Sequence, residues 1–125
     1  MKEFKVFVND KTGELARVTE ALAEHAVNIR AIASEGGHEN SFLRIVTIDV
    51  ATAEKAFKLA GIKYDANDLL TVGLIDRPGE LAKIARRLAR AGVNVESIYI
   101  LGSKNGKTEV GMVVSEMEKA KAAIR

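Results

Sequence analysis

The chain has 125 residues and a net charge of +2, with 47% hydrophobic and 29% charged residues, the balance of a folded globular protein. It contains no cysteine, which excludes a disulfide framework, a thiolate metal site and a cysteine nucleophile. So small a charge gives no basic footprint for nucleic acid. With no Trp and 5% aromatic residues, the core is expected to be aliphatic. No run reaches the roughly 20 apolar residues that cross a bilayer. The opening MKEFKVFVND turns polar too early for a signal peptide, so the expected location is cytoplasmic, with no membrane partner.

In chain order, FKVFV is a short apolar run rich in β-formers and is expected to be a strand. The loop DKTG follows, and then Leu15, Val18 and Leu22 trace the apolar stripe of a helix. VNIRAIAS and SFLRIVTIDV are strands separated by the turn EGGHEN, and ATAEKAFKLAG is a second helix. A further strand is expected within IKYDANDLL, leading into the strand LLTVGLI. After DRPG comes a third helix, whose Leu81, Ile84, Ala85 and Leu88 fall at i, i+3, i+4, i+7 and predict one apolar face. Gly92 suits a left-handed helix end, whereas its counterpart Ala26 does not, so the first helix is expected to end differently. VNVESIYIL and TEVGMVVS form a hairpin around Asn105-Gly106, a strong two-residue turn signal. EMEKAKAAIR closes the chain as a short helix, with no room for another strand.

The order repeats. DKTGELARV (10–18) returns as DRPGELAKI (76–84), with Gly13 and Gly79 66 positions apart. The same offset aligns Val6 with Val72, Leu22-Ala23 with Leu88-Ala89, Val27-Asn28 with Val93-Asn94, and Gly36 with Gly102. Two tandem copies of one supersecondary unit explain so many ungapped matches, with expected boundaries at residues 1–66 and 67–125. Each reads β-α-β-β-α-β, the ferredoxin-like arrangement of the α+β class, antiparallel with helices on one face. The second copy is expected to lack the last strand.

The phrase D-x-P-G-x-L-A-x-I, followed by L-A-x-x-G-V-N-V, resembles the ACT domain, a family of small ligand-binding regulatory modules. The second copy matches at Asp76, Pro78, Gly79, Leu81, Leu88, Gly92, Val93 and Asn94; the first departs from the pattern with Thr12 and Ala26. The pair spans almost the whole chain, like stand-alone tandem ACT proteins. The resemblance implies an amino-acid ligand, commonly at an interface between two domains, and nominates Asp76, Arg77, Gly79 and Asn94. The matching first-copy set is Asp10, Lys11, Gly13 and Asn28. Physically, a glycine loop at a helix N-terminus exposes unpaired N–H groups where an α-carboxylate can sit. Asp76 can then receive the α-ammonium group.

Plainer roles stand beside these. Asp10 and Asp76 can act as N-caps, Gly13 and Gly79 can serve close packing of helix on sheet, and Asn28 and Asn94 can satisfy backbone at a turn. Arg86, Arg87 and Arg90 read as a solvated helix face, His25 and His38 as surface histidines, and Met112 and Met117 as core filler. No nucleophile elbow, phosphate loop, HExxH or aligned acid pair points to an enzyme, and nothing points to a cofactor or metal. The expectation is a regulatory protein of amino-acid metabolism that binds an amino acid and forms at least a homodimer, an unclosed sheet edge inviting pairing. The competing expectation is a ligand-independent assembly subunit docking on a metabolic enzyme or transcription regulator.

Overall fold

A computed structural model describes residues 1–9, 11–36 and 41–125 of the chain. It divides into two compact units, Met1–Asp68 and Leu69–Arg125. The first unit comprises β1 (Lys2–Val8), α1 (Glu14–Glu24), β2 (Ala31–Glu35), β3 (Ser41–Thr47), α2 (Val50–Leu59) and β4 (Tyr64–Asp68). Its antiparallel sheet has the order β2-β3-β1-β4. Alternation along β1 sends Phe4 and Val6 to one face, where α1 and α2 cover them with Val18, Leu22, Ala53 and Phe57. Despite the low aromatic content, this core centres on rings: Phe4, Phe57 and Tyr64 lie with centroids 5.3–5.5 Å apart. On the opposite face Glu3 is fully buried, accepting from Arg44 Nη1 at 3.3 Å and Asn67 Nδ2 at 3.2 Å.

The second unit repeats the plan with β5 (Leu70–Ile75), α3 (Glu80–Arg90), β6 (Val95–Lys104), β7 (Lys107–Val114) and α4 (Met117–Ala123). Its antiparallel sheet has three strands in the order β5-β7-β6, so among the described residues no strand of this unit takes the place that β4 has beside β1. Leu70, Leu74, Val110 and Met112 meet Ile84 and Leu88 of α3 and Ala120 of α4 in an all-aliphatic core with one methionine. Both units are ferredoxin-like, the second without its last strand. Asn105 and Gly106 take φ of 53° and 74° at the β6–β7 tip, the positive-φ pair of a type I′ hairpin turn.

Three sequence expectations are corrected. Leu15 and Leu81 do not join the buried stripe: 55% and 41% of their area stays in water. Ala85 is exposed as well, so α3 is anchored by Ile84 and Leu88 alone. The first helix ends as the third does. Ala26 adopts φ 55° and Gly92 φ 73°. Val27 N–H donates to Leu22 O at 3.0 Å and Ala26 N–H to Ala23 O at 3.0 Å, and Val93 and Gly92 repeat both bonds to Leu88 and Ala89. This is a Schellman ending in each copy. His25, half-buried at that end, has Nδ1 3.2 Å from Ala21 O and is not a free surface residue. His38 lies outside the described residues. Arg86, Arg87 and Arg90 are exposed, as a solvated face requires.

Candidate functional site

The loop between β5 and α3 is held at both ends. Asp76 N–H donates to Gly106 O at 2.8 Å, tying the loop to the β6–β7 tip, and Arg77 N–H donates back to Ile75 O at 2.9 Å. Gly79 then caps the helix at φ 92°, ψ −15°, with no side-chain cap. This overturns the reading of Asp76 as the N-cap: it stands three residues too early. It also overturns the packing role for Gly79, because a Cβ there would meet nothing within 4 Å. The glycine is needed for its left-handed backbone, which L-residues resist.

Behind the loop, the half-buried Glu80 accepts from Arg77 Nε at 2.7 Å and Lys83 Nζ at 3.2 Å. These hydrogen bonds, Arg77's foremost, hold the Glu80 carboxyl below its ordinary value of 4.5. Arg77 is thus engaged within the unit, and Glu80, absent from the expected site, is the residue that fixes it.

A cavity of about 180 Å³ opens beside this loop. Asp76, Arg77, Glu80, Ser103 and Thr108 form its polar wall, and Leu74, Ile75, Leu81, Ile100 and Val110 its apolar wall. Ser103 Oγ and Thr108 Oγ1 lie 2.9 Å apart. Ser103 reaches the cavity because the β6 register shifts between Ile100 and Gly102. Without that bulge, strict alternation would place Gly102, not Ser103, on the face of Ile100. The sequence names the loop but not these strand residues; only the exposed positions of Ile100 and Leu81 mark the apolar wall.

Asn94 is not part of this arrangement. Ile75 and Lys104 both pair with Lys107 at one end of the sheet, while Val95 pairs with Val114 at the other. Asn94 precedes Val95 and binds Ser115 through backbone there. The length of α3, roughly 16 Å at 1.5 Å per residue, separates it from Asp76.

In the first unit Asp10 lies outside the described residues. Lys11 and Gly13 are exposed in an equivalent loop: Lys11 N–H donates to Asn9 O at 2.9 Å, and Gly13 caps α1 at φ 94°. Glu14 is buried, accepting from Arg17 Nε at 2.8 Å and Asn9 Nδ2 at 3.3 Å. The Arg17 hydrogen bond leads in holding its carboxyl below 4.5, against the opposing effect of burial. Asn28 is exposed at the far end of that sheet. A cavity of about 290 Å³ in this unit lies on the β4 side, between Val8, Arg17 and Lys63, and none of Lys11, Gly13 and Asn28 lines it. Among the described residues no acidic, histidine or cysteine cluster can hold a metal, and no helix is long and apolar enough to cross a membrane.

Two ferredoxin-like units in tandem, each with a glycine-capped helix after its first strand, define a duplicated α+β architecture. The chain belongs to the ACT domain pair family, whose pattern matches residues 1–124. Among solved structures, a protein from Bacteroides thetaiotaomicron is 28% identical with a TM-score of 0.87, the match covering 98% of this chain and 85% of that one. The ligand-free regulatory subunit of aspartate kinase from Thermus thermophilus is 24% identical with a TM-score of 0.68, over 99% of this chain and 87% of that chain. Aspartate kinase from Clostridium acetobutylicum is 18% identical with a TM-score of 0.62, over 98% of this chain and 32% of the enzyme. The last two likenesses are of fold. No curated protein sequence matches the chain.

Proposed function

We propose that the protein binds a free amino acid in its second unit and passes occupancy on to a partner as a change in domain or subunit association. The observation that carries this reading is the cavity that brings Asp76 and Arg77 to the start of α3. The first helical N–H groups have no intrahelical partners, and the helix dipole adds positive character, so an α-carboxylate is favoured there. Asp76, exposed at the mouth, supplies the complementary charge for the α-ammonium group. A cytoplasmic location, a homodimer and a metabolic enzyme as the regulated partner belong to the same proposal. It involves no catalysis.

A screen of the twenty standard amino acids by thermal shift tests it. A ligand that binds only the folded protein stabilises by about 2.7 kcal/mol at a hundred times its Kd. No shift with any amino acid rejects the reading. That result favours the assembly-subunit alternative, which draws support from Ile98 and Ile100, both exposed on the outer strand β6.

A further inference from the structure

The apolar wall of the second-unit cavity is more than an outcrop of the core. Its floor, Leu74 and Val110, is buried, but its rim is not: Ile75, Leu81 and Ile100 leave 50%, 41% and 68% of their area in water. Single exposed aliphatic residues are ordinary, whereas several around one opening mark a binding surface. The volume restricts the occupant. At about 180 Å³ the cavity is smaller than the roughly 300–1,000 Å³ of pockets for drug-sized ligands. One amino-acid side chain fits that scale; a helix or a strand does not.

The polar wall adds a second restriction. Arg77 is held by Glu80, which Lys83 also engages, and the Ser103 and Thr108 hydroxyls face each other. With Arg77 held by Glu80 and Asp76 taken by the α-ammonium group, a carboxylate or ammonium at the end of a ligand side chain would lose water against the apolar rim without a dedicated counter-charge, which is costly. Among the described residues the first unit has no such wall. At the 66-residue offset, Asn9 stands for Ile75 and Ser34 for Ile100.

We infer that the second-unit cavity selects an amino acid with a neutral apolar side chain, which inserts between Leu81 and Ile100 onto Leu74 and Val110. The inference rests on the amino-acid reading proposed above and adds the class of ligand.

Calorimetric titration of the full chain with L-leucine, L-phenylalanine, L-aspartate, L-lysine and L-serine tests it. Leucine or phenylalanine is expected to bind at least about tenfold more tightly than the other three, a difference of about 1.4 kcal/mol. Ile100→Ser is expected to remove most of that preference, and Leu81→Ser repeats the test from the helix side. Ile98→Ser is the control: Ile98 shares the strand and its exposure but lies outside the cavity, so the preference stays. All three side chains are exposed, and melting curves verify that each variant folds.

Each failure is distinct. No binding of any amino acid overturns the functional reading and this inference with it. Tightest binding of aspartate, lysine or serine leaves the functional reading standing and overturns the side-chain class. An unchanged preference in both Ile100→Ser and Leu81→Ser also overturns it. If Ile100→Ser alters the sedimentation coefficient while selectivity persists, Ile100 belongs to a contact between copies and the inference is overturned.

Discussion

Asp76 stands three residues before the cap of α3, and that helix has no side-chain cap. Replacing it therefore separates binding from stability. Asp76→Asn is expected to weaken the bound amino acid about tenfold to a hundredfold, the weight of one charge-assisted hydrogen bond of roughly 1.5–3 kcal/mol. The melting temperature stays put; an unchanged Kd in titration would end the assignment. Glu3 behaves oppositely, because it is fully buried. Arg44→Ala strips its carboxylate of a charged partner and is expected to cost about 3–5 kcal/mol in urea unfolding. Glu14 gives a pH signature. Its folded pKa lies below 4.5, so its contribution is present above the unfolded value and lost as pH falls through the folded one. Glu14→Gln should thus melt below the native protein at pH 7, and the gap should close as melts are repeated from pH 5 down to 3.

Among the elements, the helix ends carry the clearest record of the duplication. Both Schellman turns form, but only one has glycine at the left-handed position. Ala26→Gly is expected to stabilise the protein, and Gly92→Ala to destabilise it by about 1 kcal/mol; the left-handed penalty of roughly 1–2 kcal/mol is partly offset by unfolded-chain entropy. Equal melting temperatures in all three proteins would contradict this. The 66-residue offset made the strand and helix order legible, and Asn105-Gly106 made the hairpin legible, because both signals are local. The cavity was not local. Its Ile100, Ser103 and Thr108 arrive from strands more than twenty residues beyond the loop, and a bulge beside Gly102, whose only sequence mark is that glycine, turns Ser103 to the cavity side. Helical periodicity likewise put Leu15 and Leu81 in the buried stripe, while their first-turn positions leave them exposed beyond it.

For the whole molecule, two separate hydrophobic cores of different chemistry exist in one chain, an aromatic-centred one in Met1–Asp68 and an aliphatic one in Leu69–Arg125. On the proposed reading, an amino acid bound beside Asp76 acts directly on the second. Hydrogen exchange with and without the ligand is expected to show added protection in β5, α3 and β6 first, and protection confined to the first unit would place the site elsewhere. The proposed homodimer would add mass action to this picture. The opposite placement of Asp76 and Asn94 along one sheet has a consequence for how such binding scales with dilution. A ligand held by Asp76 cannot also touch the Asn94 of the same unit. If it needs an asparagine at that position, Asn28 of the first unit or Asn94 of another copy must supply it, and only in the second case does the apparent Kd rise as the protein is diluted. If titrations at low and high protein concentration return one constant, the receptor is complete within a single chain.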